Sequence, residues 1–460
     1  MPGESTVYDF LAVGIGPFNL GLACLTQPIK QLKGVFLDKR PGFNWHPGLL
    51  FENARLQTPF MSDLVTLADP TSRFSFLNYS KQQGLLYSFY IRENFFLLRN
   101  EYNQYCQWAA SQLSNLHFNT EVEAVDYDTA KGCYRVQARC VNTQQTQHYY
   151  ARRLALGTGP QPYVPACCEA HLTQQSAQPL VHASDYLHRR DAIKQQPSIT
   201  VVGSGQSAAE IILDLLQDID HHSYSLNWIT RAPRFFPLEY TKLTLEMTSP
   251  EYVDYFYQLP ASTRDQLNRD HAHLAKGING DTINEIFDLL YAKRLVGKDL
   301  VDNQRVNFFT NSELQQVKQE KISGHYNLHF YQKEQNKPFQ QQSAAVILST
   351  GYQYRVPQWL EGIRDRIRWD AQGRYAVGRY YTIDKHDKDI FVQNAEQHTH
   401  GFVTPDLGMA CYRNAHIIRQ LLGREYYPIE KNIAFQTFAA PTAPTEKKQA
   451  GVFQDAAVSA

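Results

Sequence analysis

The sequence has few cysteines, and their spacing forms neither a redox pair nor a zinc site. Seven cysteines occur in 460 residues, Cys167 and Cys168 are adjacent, and no CxxC pair exists. An odd count without paired spacing excludes a disulfide framework and favours reduced thiols in the cytoplasm.

The sequence also lacks long apolar runs and an excess of charge of either sign. No apolar run reaches the roughly 18 residues that a membrane-spanning helix needs, and residues 1–9 have no basic segment followed by an apolar one, as a signal peptide would. Lysine plus arginine and aspartate plus glutamate number 45 each, so no bulk field favours nucleic acid or an anionic membrane. We therefore predict a cytoplasmic globular protein of two or three domains, with neither nucleic acid nor a membrane as partner.

A glycine loop near the N-terminus predicts a first dinucleotide site. An apolar strand ends in a GxGxxN loop, in which Asn19 stands where a third glycine is usual, and a helix follows. Gly14 permits the tight turn, Gly16 lets a pyrophosphate approach the backbone, and the helix N-terminus offers N–H groups. Asp38 ends the next strand, 22 positions after Gly16, where an acidic side chain receives ribose hydroxyls. The alternative is a structural glycine turn.

A second glycine loop carries its own indication of cofactor preference. Gly203 and Gly205 open a GxGxxA loop between a strand and a helix, and the following strand ends in Arg231 rather than in an acid. A guanidinium suits a 2′-phosphate, which a carboxylate would repel, so this unit is predicted to prefer NADPH over NADH. The alternative is that Arg231 is an ordinary surface residue.

Two similar segments around the second unit indicate how the domains are joined. Residues 154–159 and 346–351 are both apolar strands that end in Thr-Gly, with prolines soon after. Such crossings join the domains of two-dinucleotide flavoproteins, so the fold class is α/β, with a Rossmann-like FAD domain that carries an inserted NADPH domain and a small, mostly helical substrate region. The predicted divisions are 1–195 and 341–438 for the FAD domain, 196–340 for the NADPH domain, 236–300 for the substrate region and 439–460 for a disordered tail.

No cluster of residues predicts a metal site or a catalytic triad. His398 and His400 are two positions apart and would point to opposite faces of a strand, so a loop or a flavin contact is favoured over a metal pair. Trp45 and His46 follow Asp38, where they could cover a flavin ring.

From about residue 7 to residue 430, the chain resembles a known family, the lysine and ornithine N-hydroxylating flavin monooxygenases of siderophore pathways. The motifs that carry the resemblance are Gly14-Ile-Gly-Pro-Phe-Asn-Leu20, Asn44-Trp-His-Pro-Gly48, Leu56-Gln-Thr-Pro-Phe-Met-Ser-Asp-Leu64, Asp69-Pro-Thr71, Gly203-Ser-Gly-Gln-Ser-Ala208, Ser249-Pro-Glu-Tyr252 and His398-Thr-His-Gly401.

The resemblance implies FAD in the first site, NADPH in the second, and N-hydroxylation of a primary amine with O2 through a C4a-hydroperoxyflavin. It also implies a homo-oligomer, a dimer or a tetramer. Gln57 is expected close to the flavin as a catalytic residue with Asn279, and Gln206 and Ser207 are expected to hold the nicotinamide half. The expected cofactor-binding residues are Gly14, Gly16, Pro17, Asp38, Lys39, Trp45, His46, Gln57, Gly203, Ser204, Gly205, Gln206, Ser207, Arg231, Thr350, His400, Gly401, Asp406 and Leu407.

Two departures from the family pattern point to the substrate. The amino-acid hydroxylases that the chain resembles carry a lysine, which pairs with the substrate carboxylate, where this chain has Ser62, and the ornithine branch has an asparagine in place of Leu245. Losing both anchors favours a substrate without a carboxylate, since a buried unpaired charge costs several kcal/mol. Residues 236–246 resemble those of diamine hydroxylases, which act on cadaverine or putrescine. Candidates to hold the far ammonium are Glu239, Tyr240, Asn279 and Asp281; for Glu239 and Asp281 the alternative is an exposed loop charge.

Three other functions remain open at this stage. The same chemistry could act on lysine or ornithine if another cation, such as Lys242, held the carboxylate. A flavin reductase would need a redox cysteine pair or a charged docking patch, and we see neither. A redox-sensing dinucleotide-binding module would not need residues 236–300 or the aromatic loops at 41–80.

Overall fold

The computed structural model describes residues 6–172, 178–239, 241–296, 300 and 305–441. Tyr240 lies outside the described residues, and so does the predicted disordered tail from residue 442 onward. All seven cysteines are described and all are free thiols, as the sequence predicts.

A five-stranded parallel sheet carries the first glycine loop. Its central strand, Phe10–Val13, is buried at every position, which is why the sequence shows an unbroken apolar run there. Helix Pro17–Thr26 crosses from this strand to its neighbour and completes the predicted βαβ unit. The strands, in spatial order, are Ile390–Val392, Leu154–Leu156, Phe10–Val13, Gly34–Leu37 and Leu116–His117.

A second five-stranded parallel sheet carries the second glycine loop. Helix Gln206–Asp218 follows its central strand and packs its apolar face on the sheet. The strands, in spatial order, are Leu180–His182, Ala345–Leu348, Ser198–Val202, Ser225–Ile229 and Val306–Phe309.

Smaller sheets flank the two parallel ones. A four-stranded sheet contains Val7–Tyr8, Thr146–Ala151, Cys133–Cys140 and Thr120–Asp128, and a three-stranded antiparallel sheet contains Ser312–Gln319, Tyr326–Gln332 and Lys337–Ser343. Two antiparallel pairs are Arg55–Pro59 with Phe96–Leu98, and Gln161–Pro162 with Tyr352–Gln353.

The helices concentrate where the sequence predicts a helical substrate region. Ser249 begins one of them as its cap, accepting a hydrogen bond from Tyr252 N at 3.2 Å, and Pro250 occupies the first turn. The helices of this region are Lys242–Leu245, Pro250–Gln258, Ala261–Asp270, Ala272–Lys276 and Gly280–Leu295. The other α-helices are Phe76–Gln82, Leu86–Arg92, Arg99–Ser111, Ala166–Leu172, Tyr186–Lys194, Gln397–His400 and Ala410–Leu422. The 3₁₀ helices are Pro47–Leu49, Ala183–Asp185, Ile219–His221, Glu246–Thr248, Gln358–Arg366 and Leu407–Met409.

The strand pairing bears on the predicted domain boundaries. Leu180–His182 and Ala345–Leu348 both pair within the second sheet, although they lie outside residues 196–340. We therefore propose that the inserted unit begins before Leu180 and extends through Leu348. The Thr-Gly crossings at its two ends lie side by side, because Gln161–Pro162 pairs with Tyr352–Gln353.

Among the residues that the structure describes, no helix is long and apolar enough to span a membrane.

Candidate active site

The first glycine loop has the open backbone that a pyrophosphate needs. Gly14 has φ +88°, and a Cβ there would overlap the carbonyl oxygen of Gly157. A Cβ on Gly16 would meet no atom within 4 Å, and the helix that follows has no side-chain cap and begins with Pro17. The uncapped N–H groups therefore face open space, so the residues present fit a dinucleotide.

Asn19 explains how the loop works without a third glycine. Its amide nitrogen donates to Gly14 O at 2.7 Å and to Val13 O at 3.3 Å, and its amide oxygen accepts from Gln393 Nε2 at 2.6 Å. The Cβ of a residue larger than glycine at Gly157 would overlap this amide. Asn19 thus fixes the loop from inside.

The predicted ribose ligand, Asp38, is engaged within the protein. Its carboxylate accepts from Ile15 N at 2.7 Å, and Arg40 donates to it from its backbone N at 2.8 Å and its guanidinium NH2 at 2.7 Å. Burial opposes ionisation, but the hydrogen bonds and charge of Arg40 outweigh it and lower the pKa of Asp38. Asp38 ties the glycine loop to the strand end, and its ribose contact stays a prediction. Lys39 is exposed, with its Nζ 3.9 Å from Glu121 Oε1.

The second glycine loop is built in the same way. Gly203 has φ +129°, and a Cβ there would overlap Ser349 O, whereas at Gly205 the nearest atom would be Lys276 O at 3.6 Å. Ser204 Oγ accepts from Thr230 Oγ1 at 2.8 Å, and Ser207 is half-buried in the first turn of the helix. This loop also fits a dinucleotide.

Two predicted cofactor residues flank this loop. Arg231 follows the strand end with its side chain 72% exposed and its NH1 4.0 Å from Glu313 Oε1. The guanidinium can therefore turn to a phosphate at little cost. Thr350 lies in a crossing segment, where its hydroxyl donates to Tyr163 O.

Gln57, Gln206 and Asn279, predicted from three separate stretches of sequence, meet in the structure. Gln57 Nε2 donates to Gln206 Oε1 at 3.4 Å, and the same oxygen accepts from Asn279 N at 2.7 Å. The Asn279 side chain caps helix Gly280–Leu295 by accepting from Asp281 N at 2.8 Å. The first sheet's loops, the second glycine loop and the helical region are therefore joined at Gln206.

Aromatic rings pack together in the segment that follows Asp38. Trp45 packs edge-on to His46 with ring centroids 5.0 Å apart, and His46 lies 5.6 Å from Tyr352. His46 has φ +50° and an exposed ring, yet surrounding protein and then the charges of Arg99 and Arg40 lower its pKa to about 4. The His46 side chain therefore meets solvent, while neighbouring protein still disfavours its charged form.

The ring of His400 is enclosed by the protein. His400 is 1% exposed; its Nδ1 contacts Thr399 Oγ1 at 2.8 Å and its Nε2 contacts Arg379 O at 3.1 Å. Burial holds the pKa of His400 well below its ordinary range. Both ring nitrogens therefore have partners within the protein, and the cofactor contacts expected of His400 and of Gly401 (φ +82°) stay predictions.

Ser62 lies close to Gly408, a few residues after His400 in the chain. A Cβ on Gly408 would lie 3.2 Å from Ser62 Oγ and 3.1 Å from Asp406 Oδ1. Asp406 is half-buried and accepts from Gly408 N at 2.6 Å; burial raises its pKa. Leu407, also half-buried, packs against the core of the first unit. The position that carries a lysine in the amino-acid hydroxylases is therefore a buried hydroxyl near a carboxylate.

Glu239, Asp281 and Leu245, three further predicted substrate residues that the structure describes, lie on the surface. Glu239 is exposed and accepts from Thr241 Oγ1 at 3.3 Å and Thr244 Oγ1 at 3.4 Å. Asp281 is exposed in the first turn of its helix. Leu245 is 42% exposed and lines a surface groove with Ile433, rather than an enclosed pocket.

Several residues that shape the site were not singled out from the sequence. Glu210 is four positions after Gln206 and Tyr352 is two after Thr350, but neither belongs to the motifs, and Arg99 lies far from them along the chain. Arg40 is the exception, since a cation two positions after a strand-end acid could have been recognised.

A comparison with family models identifies the chain. Residues 6–354 match the model described as L-lysine 6-monooxygenase/L-ornithine 5-monooxygenase. The chain belongs to this family. The resemblance stated from its motifs is confirmed, and so is the predicted enzyme class, an N-hydroxylating flavin monooxygenase.

Similar proteins span nearly the whole chain. A putrescine N-hydroxylase from Shewanella oneidensis is 51% identical over 446 residues, which cover 97% of this chain and 87% of the relative. The solved structure of an FAD-bound cadaverine monooxygenase of the desferrioxamine pathway from Erwinia amylovora is 56% identical and has a TM-score of 0.91, with 95% of this chain and 100% of that chain covered. An ornithine N-hydroxylase from Kutzneria, solved with reduced FAD, NADP+ and L-ornithine, is 25% identical and has a TM-score of 0.80, with 91% and 99% covered. The predicted fold class is confirmed.

Proposed function

We propose that the protein hydroxylates one primary amine nitrogen of an aliphatic diamine, cadaverine or putrescine, with FAD, NADPH and O2. This would be an early step in the biosynthesis of a hydroxamate siderophore. Family relatives named for putrescine and cadaverine support the substrate class. Bound FAD, once reduced by NADPH, would supply the activated oxygen, since the cofactor carries the demanding chemistry in such enzymes.

The observation that carries the diamine substrate is the surroundings of Ser62. This residue is 7% exposed, and its hydroxyl lies near Asp406 across Gly408. A substrate carboxylate placed here would meet a hydroxyl and a second carboxylate, and an unpaired buried charge costs several kcal/mol. A diamine has no carboxylate, so the same surroundings accommodate it.

The protein has two tasks at the substrate itself. The reacting amine must be neutral, although an alkylamine has a pKa of about 10.4 in water, so the protein must desolvate that end. The far ammonium needs acceptors, and Glu239 is the carboxylate that we favour. Leu238 N donates to Ile278 O at 2.7 Å, so the backbone next to Glu239 is hydrogen-bonded to the backbone next to Asn279, which supports this choice.

We infer that Arg231 binds the 2′-phosphate and that the two glycine loops bind the pyrophosphates. Lysine or ornithine as substrate is the second candidate, because the family model is described by these amino acids.

We also propose a homo-oligomer, a dimer or a tetramer, that acts in the cytoplasm. The free thiols support this location. Helix Gly280–Leu295 exposes Phe287, Tyr291 and Leu295 at successive four-residue spacings, which supports an apolar contact surface. Light scattering on the purified protein tests the oligomer, and a monomer at micromolar concentration would contradict it.

The substrate is tested by assaying putrescine, cadaverine, L-lysine and L-ornithine in parallel. Hydroxylated product is measured together with NADPH and O2 consumption. We expect product from the diamines, and product from the amino acids alone would overturn the proposal. Ser62→Lys should lower diamine turnover by charge repulsion, whereas the matched Ser62→Ala variant should retain most of it.

A further inference from the structure

A buried ion pair joins the two dinucleotide units beside the site. Arg99 begins a helix of the first unit, and Glu210 lies on the helix that follows the second glycine loop. Arg99 NH1 donates to Glu210 Oε2 at 2.7 Å and Arg99 NH2 to Oε1 at 2.8 Å. The two side chains are 13% and 8% exposed. This two-point geometry fixes the orientation of the carboxylate as well as its position.

Glu210 also determines which way the Gln206 amide points. Gln206 Nε2 donates to Glu210 Oε1 at 2.8 Å, and Gln206 Oε1 accepts from the backbone N of Asn279 at 2.7 Å. A carboxylate can only accept and a backbone N–H can only donate, so a flipped amide would lose both bonds. The orientation is therefore unambiguous.

The fixed amide then orders its neighbours. Because Gln206 presents an oxygen to the site, Gln57 must approach it with its amide nitrogen, as it does at 3.4 Å. The same oxygen holds Asn279 N, at the start of helix Gly280–Leu295. One carboxylate thus sets the arrangement of Gln57 from the first unit and Asn279 from the helical region.

We propose that Glu210 is a positioning residue, which acts through Gln206 to align Gln57 and Asn279 and so couples NADPH oxidation to hydroxylation of the amine. The coupling part rests on the proposed function, whereas the alignment part does not. Glu210 itself need not touch cofactor or substrate.

The variant Glu210→Gln isolates this role because it keeps the size of the side chain. The carboxylate of Glu210 accepts three hydrogen bonds, two from Arg99 and one from Gln206. A glutamine there has one amide oxygen and one NH2 group, and whichever way the amide turns, its NH2 group meets a donor of Arg99 or of Gln206. The side chain at position 210 must therefore shift, which disturbs the Gln206 amide and weakens the bond that it accepts from Asn279.

The first measurement is hydrogen–deuterium exchange at the Asn279 backbone amide, in full-length flavin-loaded protein without NADPH or amine. We expect Glu210→Gln to exchange roughly three to ten times faster than wild type, as loss of one hydrogen bond implies. Arg99→Lys keeps the carboxylate at position 210 and should show a smaller change in the same direction. Unchanged exchange in Glu210→Gln would overturn the alignment.

The second measurement is the yield of hydroxylated diamine per NADPH oxidised. We expect this yield to fall by roughly tenfold in Glu210→Gln, because small misplacements at a reacting centre carry large rate costs, while the KM for NADPH changes little. Accelerated exchange with an unchanged yield would overturn the coupling role. If wild-type protein hydroxylates no diamine, the proposed function fails, and the exchange result still decides the alignment.

Asp214→Asn is the matched control. Asp214 lies on the same helix, about two turns beyond Gln206, and is paired with Arg190 and Tyr186. The Asp214→Asn variant should lower the midpoint of thermal unfolding without altering hydrogen–deuterium exchange at Asn279 or the product yield. If Asp214→Asn changed both as much as Glu210→Gln does, general destabilisation would explain the result and the proposal would be wrong.

Discussion

At the scale of single residues, the first glycine loop depends on an internal amide that the sequence pattern alone does not explain. Asn19 is 1% exposed and makes three hydrogen bonds, one of them to Gly14 O. Since the residue facing it must leave room for this amide, Gly157 and Asn19 form a pair that substitutes for the usual third glycine.

Gly157→Ala should therefore loosen the first dinucleotide site. The added methyl would displace the Asn19 amide, whose hydrogen bonds are worth about 1 kcal/mol each. We expect a lower ratio of bound FAD to protein, measured by absorbance after gel filtration. Gly42→Ala is the control, because a Cβ there meets no atom within 4 Å, and equal FAD loss in both variants would contradict the explanation.

Arg231→Ala tests the cofactor preference of the second unit. A charge-assisted bond to a phosphate is worth about 1.5–3 kcal/mol, so the KM for NADPH should rise by roughly tenfold or more, while that for NADH changes little. Steady-state kinetics with both nucleotides measures this. Glu313→Gln, which removes the acid beside Arg231, should leave the KM for NADPH equal or lower. Equal changes for the two nucleotides in Arg231→Ala would count against the 2′-phosphate role.

Residue-level prediction from sequence succeeded where backbone chemistry dictates the residue. Gly14 and Gly203 were predicted because only glycine suits their positive φ and their close approach to a neighbouring carbonyl. His400 and Leu245 were assigned from motif position, which carries no information on burial. His400 proved to be buried, whereas Leu245 proved to be exposed.

At the scale of elements, a C-terminal strap of residues 433–438 covers the helical region. Glu246 accepts from Phe435 N at 2.9 Å and from Gln436 N at 3.0 Å, and the Phe438 ring lies 5.1 Å from that of Tyr252. The strap has no periodic pattern in the sequence, because its contacts are backbone bonds to a distant carboxylate. The strap could therefore not be predicted from the sequence.

Glu246→Ala should release the strap. With its backbone N–H groups no longer held, the strap should become accessible, and trypsin should cleave faster after Lys431. Time-resolved proteolysis with mass spectrometry measures this cleavage. Glu361→Ala, which alters a distant surface acid paired with Arg364, should cleave at the wild-type rate. A Glu246→Ala variant as resistant as wild type would show that other contacts hold the strap.

At the scale of the whole molecule, local signals predicted both parallel sheets, because each βαβ unit is specified within a short stretch of chain. The boundary between the two units, in contrast, is not specified within a short stretch of chain. Leu180–His182 and Ala345–Leu348 join the second sheet through pairings between strands more than 140 positions apart. Such partners are chosen by packing of the folded chain, so the sequence indicates the division only through the Thr-Gly crossings at 154–159 and 346–351, and the boundaries at 195 and 340 stay a prediction.

The folded molecule also buries histidines in neutral form, which makes its stability depend on pH. Burial lowers the pKa of His400 well below its ordinary value, and burial followed by the charges of Arg379 and Arg419 lowers that of His416 to about 3. In the unfolded chain both would titrate near ~6.5. Between that pH and the lower folded values, the unfolded state binds more protons, so the free energy of unfolding falls as pH falls through this window and is unaffected above it.

The variant His416→Phe measures the share of one residue in this acid sensitivity. Phenylalanine keeps the ring packed against Tyr412 and Tyr380, and neither nitrogen of His416 has a hydrogen-bond partner among the described residues. Each such histidine contributes a slope of about 1.4 kcal/mol per pH unit below pH 6.5. Urea unfolding at pH 7.5, 6 and 5 should therefore show a smaller loss of stability in the variant than in wild type, with the two proteins differing least at pH 7.5. Parallel curves across this range would mean that His416 binds its proton equally well in the folded and the unfolded protein, and that the acid sensitivity arises elsewhere.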